Sequence, residues 1–233
     1  MARSACDNDM VCGWAGSLGG ADGINVISGT GSMTYGERAG LGARVGGWGE
    51  LFGDEGSAYW IATKGLNAFS RMSDGRLPIG PLYGMFREQL GLASDLDLVD
   101  VVLNRWQGGR REIAALSRMV VEAASAGDAR AAEILTGAAG ELANIVDTTR
   151  RRLAFGPGER VPVSYSGGIF TAGSILGGFD AALAALYGEY ELREPLCPPV
   201  VGAALYAAKL AGKPLDAGAL GQLHSTRQES QPR

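Results

Sequence analysis

Apolar and polar positions alternate in three short segments near the start of the chain. They run from Ile24 to Ile27, from Met33 to Glu37 and from Ala43 to Trp48, and glycine-containing turns separate them. Alternation over four to eight residues is typical of half-buried strands. The pattern therefore predicts an antiparallel meander of three strands. A helix that ends at Leu18, just before Gly19-Gly20, is predicted to precede it.

Residues 58–153 have helical spacing instead. Apolar residues recur at intervals of three and four from Ala58 to Met72 and from Ala129 to Leu153, and glycines and prolines divide the stretch between them. Beyond this block the pattern predicts a strand, a helix, a last strand and a helix, at 161–165, 174–186, 194–197 and 200–210. The order β-β-β-α, a helical insertion and then β-α-β-α predicts an α/β layered domain.

Composition excludes several classes of function. The 233 residues are 46% hydrophobic and 20% charged, as in ordinary globular proteins, and a net charge of -4 gives no basic surface for nucleic acid. No apolar run is long enough to cross a membrane, and no signal peptide opens the chain. Three scattered cysteines argue against a disulfide framework or a zinc site and favour the cytoplasm. Because His224 is the only histidine, a general base has to be a carboxylate.

Two glycine-rich segments carry the candidate chemistry. Residues 28–32, Ser-Gly-Thr-Gly-Ser, follow the first predicted strand, and residues 46–57 combine glycines with a tryptophan and carboxylates. A turn of small residues lets backbone N–H groups close on an anion without interference from Cβ atoms. The two segments together predict a phosphate and a polar small molecule held side by side.

Four motifs resemble those of a known family. Asn8-Asp9, Gly29–Ser32, the block 46–57 and Ser166-Gly167-Gly168 occur in the order found in the C-terminal lobe of N-acetylglucosamine kinases and the wider BadF/BadG ATPase family. The resemblance runs from about residue 6 to residue 209, and only the block 46–57 is specific by itself. It implies a ribonuclease-H-like lobe of the actin-like ATPase fold, which closes with a second lobe on ATP and Mg²⁺. The implied reaction is ATP-dependent phosphoryl transfer to the primary hydroxyl of an amino sugar.

The resemblance gives Asp9 two roles, contact with the sugar and removal of the proton from its hydroxyl. A carboxylate at a helix N-terminus stays ionised and suits positioning more than strong basicity. The plainer interpretation is that Asp9 is an N-cap. Gly29, Thr30, Gly31 and Ser32 match the turn that holds the β- and γ-phosphates, although glycine and serine are also usual in a simple hairpin turn.

The sugar and nucleoside positions follow in the same way. Gly47, Trp48, Gly49 and Asp54 match the sugar-contacting residues; alternatively Trp48 is buried as an anchor and Asp54 caps the next helix. Gly167 and Gly168 match the adenosine turn. Ala114 aligns near the nucleotide and is equally explained as helix core. No side chain is assigned to a metal.

The family's N-terminal lobe, with its Asp-Gly-Gly-Gly-Thr turn, has no counterpart in this sequence. The expected organisation is one C-terminal lobe over 1–212, with a mainly helical insertion at 58–153 and a flexible polar tail at 213–233. Half a cleft is expected to do little chemistry alone, so a missing lobe or a homodimer would complete it. Two alternatives stay open: an ATPase activator with an iron–sulfur cluster that drives a dehydratase or reductase, and a non-catalytic sugar- or nucleotide-binding fragment.

Overall fold

In the part of the chain that the structure describes, five strands form one mixed sheet in the order β3-β2-β1-β4-β5. The computed structural model describes residues 8–186, 189–216 and 218–223; Cys6, Asp7 and His224 lie outside them. β1 pairs antiparallel with β2 and parallel with β4, which places β1 at the centre. The strands are β1 Gly23–Ser28, β2 Ser32–Arg38, β3 Leu41–Gly46, β4 Val161–Ser166 and β5 Tyr190–Arg193.

Helices cover both faces of the sheet and fill the long connection between β3 and β4. They are α1 Asp9–Leu18, α2 Ala58–Ser73, α3 Pro81–Leu90, α4 Asp97–Val99 with its π-helical continuation Asp100–Arg105, α5 Arg110–Ala115, α6 Ser117–Ser125, α7 Ala129–Arg152, α8 Gly173–Leu186 and α9 Pro199–Leu210. A 3₁₀ turn, Gly168–Thr171, precedes α8, and residues 218–223 are also helical. The predicted order of strands and helices is confirmed.

Each face of the sheet has its own apolar layer. Ile24, Val26 and Val163 belong to the large core formed with the helices of the long connection and α8. On the other face a smaller cluster centres on Trp14 of α1. Burial on both faces fixes the register of β1, because a slip by one residue would exchange its two faces. Among the described residues, no helix has both the length and the apolar character needed to cross a membrane.

Helices α1 and α9 approach each other closely. A Cβ on Gly202 would collide with Cys12 O and Gly16 N, and one on Gly16 would lie 2.8 Å from the carbonyl oxygens of Cys197 and Pro198. Any larger side chain at either glycine would force the helices apart. The two helices therefore form one tightly packed pair.

The last strand lies before the predicted one. Residues 194–197 were predicted to form it, but β5 is Tyr190–Arg193, paired with β4 from Val161 onwards. Pro195 has no N–H to donate to a ladder. The following N–H groups have another use: Leu196 N and Cys197 N donate to Ser17 O (3.1 Å) and Gly16 O (3.0 Å). They satisfy carbonyls at the end of α1, which a helix terminus leaves free.

Candidate active site

Residues 28–32, called the phosphate turn here, connect β1 and β2. Ser28 and Ser32 form the last pair of the antiparallel ladder, and Gly29 N donates to Gly31 O at 2.9 Å. The carbonyl of Gly29 accepts a hydrogen bond of 2.8 Å from Ala58 N, the first residue of α2. The turn is thus a hairpin turn, as the plainer interpretation requires, but it is also fixed against the start of a helix.

Residues 46–57, called the 46–57 loop here, lie directly against the phosphate turn. Ser32 Oγ donates to Glu55 O (2.6 Å), and Ser28 Oγ donates to Gly56 O (3.1 Å). At the other end of the loop, Gly47 N donates to Ser32 O at 2.9 Å. These bonds bring together the two glycine-rich segments that the sequence separates.

Asp54 is the buried acid between these two segments. Its side chain is 4% exposed, its backbone is left-handed (φ 57°), and its Oδ1 accepts from Ser32 N at 3.2 Å. Such backbone conformations are costly for residues other than glycine and concentrate at functional sites. The capping alternative for Asp54 is wrong, because Ser57 is the N-cap of α2 and its hydroxyl accepts from Trp60 N.

Arg110 is the site residue that sequence reasoning missed. It is the first residue of α5, and its Nη2 donates to the second carboxylate oxygen of Asp54. Its Nε lies 3.4 Å from Oε2 of Glu50. A cation at the start of a helix is electrostatically unfavourable, and Asp54 and Glu50 offset this cost for Arg110. No short motif in the sequence marks the contact.

The tip of the 46–57 loop exposes apolar side chains. Trp48 is 69% exposed, Leu51 88% and Phe52 74%. The guanidinium of Arg44 lies 5.4 Å from the centre of the Trp48 ring. The alternative of a buried, anchoring Trp48 is therefore wrong, and most of its side chain is accessible to a ligand.

The turn after β4 meets the phosphate turn. At Gly167 the backbone has φ 104° and ψ 155°, and a Cβ there would collide with Ser28 O. Gly168 differs, because a Cβ on it would meet no protein atom within 4 Å. A cavity of about 280 Å³ borders Gly167 and is lined by Tyr165, Phe170 and the segment around Pro198.

Asp9 is exposed at the first position of α1. The capping alternative is wrong here too, since Asn8 is the N-cap and its Oδ1 accepts from Met10 N at 3.2 Å. Gly13 lies over Asn25 and Ile27, whereas Leu18 lies over Gly23. Helix α1 thus runs antiparallel to β1, which places Asp9 at the same end of the sheet as the phosphate turn.

Ala114 lies in α5, one turn after Arg110, and is buried. Burial is what the helix-core explanation of this residue requires. Its helix nevertheless reaches the site, because α5 begins at Arg110.

Each of the two turns leaves the backbone of one glycine open to a ligand. A Cβ on Gly29 or on Gly168 would point into space without protein atoms within 4 Å, so ligand atoms can approach the backbone there. The described residues contain no group of three or more His, Cys, Asp or Glu side chains placed to hold a metal ion. Mg²⁺ in kinase sites is bound mainly by phosphates and water with one or two carboxylates, so such an ion would not require a cluster of protein ligands.

Comparison with known proteins agrees with this geometry. The family model described as the BadF/BadG/BcrA/BcrD ATPase family matches residues 1–207. The chain belongs to this family. Within it, the chain is 31% identical to an N-acetyl-D-glucosamine kinase of Dictyostelium discoideum over 83% of its own length and 61% of that protein. It is 39% identical to an N-acetylmuramic acid/N-acetylglucosamine kinase of Clostridium acetobutylicum, over 61% of its own length and 46% of that protein.

A solved structure is similar as well. A Chromobacterium violaceum protein assigned as an N-acetylglucosamine kinase superimposes with a TM-score of 0.69 at 25% identity, over 85% of this chain and 64% of that one. The predicted actin-like ATPase fold is confirmed. The chain thus covers 61% of the length of the Dictyostelium relative and 46% of the length of the Clostridium relative.

Proposed function

We propose that this chain takes part in ATP-dependent phosphorylation of an amino sugar, with N-acetylglucosamine as the substrate class. The observation that carries the proposal is the contact between the two glycine-rich segments, centred on the bond from Ser32 N to Asp54. It brings the turn suited to phosphate and the loop suited to a sugar to one place. The names of the relatives support the same substrate class. We place the proposed reaction in the cytoplasm, because Cys12 and Cys197 are free thiols and ATP is the proposed phosphoryl donor.

In this proposal the phosphate turn holds the β- and γ-phosphates of ATP. Thr30 and Gly31 would supply backbone N–H groups and the Thr30 hydroxyl, which bind anions well. Gly29 and Ser32 would shape the turn, since Gly29 N donates to Gly31 O and Ser32 N to Asp54. The nucleoside lies against Gly167 and Gly168, beside the cavity of about 280 Å³. Bound Mg²⁺ would neutralise charge on the phosphates.

The sugar would lie on the other side of the phosphate turn. Gly47, Trp48 and Gly49 would contact it, with the exposed Trp48 ring against its apolar face. Asp54 would accept a sugar hydroxyl: a carboxylate has about four acceptor positions, and two of them serve Ser32 and Arg110. Asp9 would orient the attacking hydroxyl and accept its proton.

Calorimetry with N-acetylglucosamine tests the sugar part of the proposal. We expect the wild-type chain to bind the sugar and Trp48→Ala to weaken binding by about tenfold or more, because the ring contact is lost. Leu51→Ala is the matched control, since it removes an exposed apolar side chain from the same loop. Equal binding by both variants would exclude Trp48 from the sugar site, and no binding by the wild type would contradict the sugar specificity.

Asp9→Asn tests the chemical step. The assay uses a version of the protein that carries an N-terminal lobe, because half a cleft is expected to do little chemistry alone. We expect Asp9→Asn to abolish formation of the sugar phosphate from MgATP in that version, as followed by mass spectrometry. Asp180→Asn, an exposed carboxylate on α8, is the control for the change of charge. Unchanged product formation in Asp9→Asn would remove the proposed base.

A further inference from the structure

The phosphate turn contains no cation of its own, but one is held next to it. Residues 28–32 are glycine, serine and threonine only. A Cβ at Gly31, in the middle of the turn, would lie 2.6 Å from Nη2 of Arg110 and 2.7 Å from Oδ2 of Asp54. The guanidinium therefore packs directly on the turn, in space that is available because residue 31 has no side chain.

Two acidic residues hold one edge of this guanidinium. Nη2 donates to the buried Asp54. Nε lies 3.4 Å from Oε2 of Glu50, but this Nε–H group makes no hydrogen bond of normal geometry. Nη1 makes no hydrogen bond to any part of the chain that the structure describes. The Arg110 side chain is 40% exposed, whereas that of Asp54 is 4% exposed. Arg110 is thus anchored on one edge and open on the other.

Arg110 offsets a charge that would otherwise oppose an anion at the turn. Asp54 alone would place a buried negative charge beside the turn proposed to bind phosphate, and like charges at close range repel each other. Arg110 offsets the charge of Asp54 and still has N–H donors to spare, while the second carboxylate, Glu50, is 39% exposed and is screened by solvent. A planar guanidinium with two free N–H groups matches the oxygens of a phosphate.

We propose that Arg110 is a further substrate-contacting residue: its open edge binds the terminal phosphates of the nucleotide, and Asp54 acts as the positioning residue that aims it. The inference rests on the proposed function, because it uses the same phosphate turn. It also gives the helical insertion a role, since α5 delivers a charge to the place where phosphoryl transfer requires one.

Calorimetry with MgATP and with adenosine separates this role from a purely structural ion pair. We expect Arg110→Ala to weaken binding of MgATP by about 10- to 100-fold, as for the loss of charge-assisted hydrogen bonds. Binding of adenosine should change by less than about twofold. Arg111→Ala is the matched control, because it removes the same charge from the next, exposed position of α5. It should leave both affinities unchanged.

A second variant and a chemical probe cover the case in which Arg110→Ala does not fold. Arg110→Lys keeps a cation for Asp54 but loses the planar fork, so we expect an intermediate loss of MgATP affinity. In the wild-type chain, MgATP should protect Arg110 from phenylglyoxal but not Arg111, as read by mass spectrometry of the peptide that contains both.

The outcomes distinguish this inference from the proposed function. Unchanged MgATP binding in Arg110→Ala and Arg110→Lys, or an equal loss of MgATP and adenosine, contradicts the role of Arg110 and leaves the nucleotide site in place. Absence of protection from phenylglyoxal while MgATP binds also contradicts it. If the wild-type chain binds no MgATP, the proposed nucleotide site and this inference fail together.

Discussion

Three glycines of the site and two on exposed faces of the helical block differ in what surrounds them. A Cβ at Gly31, Gly56 or Gly167 would meet side-chain or backbone atoms at less than normal contact distance. A Cβ at Gly84 or Gly140, on exposed helix faces, would meet nothing within 4 Å. At these positions glycine is required next to the phosphate turn and replaceable on the exposed helix faces. Neither region is uniform, because a Cβ on Gly168 of the site meets nothing, whereas one on Gly65 of α2 would lie 2.7 Å from Val120. A glycine count alone therefore does not locate a site.

The two regions also differ in what they bury. Next to the phosphate turn, the buried residues Ser28, Ser32, Asp54 and Ser57 are polar and hydrogen-bonded. The helical block buries mainly aliphatic and aromatic side chains. Buried polar groups cost free energy unless they are paired. The site region therefore depends on a complete set of hydrogen bonds, and the block depends on packing.

The largest contrast is expected between two adjacent glycines. Gly167→Ala should lower the free energy of unfolding by about 2 to 4 kcal/mol, because the backbone there is nearly exclusive to glycine and the Cβ meets Ser28 O. Gly168→Ala should fold normally, yet it should weaken MgATP binding if the nucleoside lies against that turn. Chemical denaturation and calorimetry measure the two effects. Equal stability of both variants would show that the two turns are not in contact.

The next contrast is between a buried and an exposed ion pair. Asp54→Asn should lower the free energy of unfolding by about 1 to 3 kcal/mol, since Arg110 loses its buried charged partner and keeps only the more exposed Glu50. Asp74→Asn removes the partner of Arg76 at the surface of the helical block and should leave the denaturation midpoint unchanged. A similar loss in both variants would mean that burial does not strengthen the Asp54 contact.

A third test examines the link between the helical block and the sheet. Burial, together with the hydrogen bond of 2.8 Å to Asp147 of α7, raises the pKa of Tyr190 in β5. The folded chain then keeps a proton that the unfolded chain releases, so the free energy of unfolding falls as pH rises above about 10.

Tyr190→Phe should cost about 1 kcal/mol at neutral pH and make the alkaline decline less steep. Denaturation midpoints at several pH values measure both effects. Tyr59→Phe, in α2, is a control for loss of a tyrosine hydroxyl. An alkaline decline as steep in Tyr190→Phe as in wild type would assign that decline to other groups.

The smallest expected effect is a gain in stability. Gly140→Ala places a methyl group on an exposed face of α7 and should raise stability by about 0.5 to 1 kcal/mol, because alanine loses less conformational entropy in a helix. A rise of about 2 °C in Tm would confirm it. A decrease would mean that the helix face is covered in solution.

Local patterns predicted most of the fold, because they act within single elements. Alternation located β1 and β2, and the run from Ala129 located α7. The prediction failed at β5, where the choice depended on α1 taking the N–H groups of Leu196 and Cys197. That partner lies far away in sequence, so periodicity contains no information about it.

The site was predicted in part for the same reason. The glycine turns and Asp54 are visible in the sequence as short motifs, and the structure brings them together. Arg110 was missed because its contact with Asp54 joins residues 56 positions apart and belongs to no motif. The roles given to Asp9, Trp48 and the nucleoside turn remain predictions.

The close packing of α1 with α9 has a mechanical consequence. Helix α1 carries Asp9 at its first position, and its other end is bonded to residues 196–197. Gly202 of α9 packs against the middle of α1, at Cys12 and Gly16. A helix of ten residues is a stiff rod of roughly 15 Å. Tilting that rod by about 10° around its far end would swing the carboxylate through roughly 2.5 Å, enough to turn a reactive alignment on or off. A displacement of α9 would therefore tilt α1 and change the position of the Asp9 carboxylate.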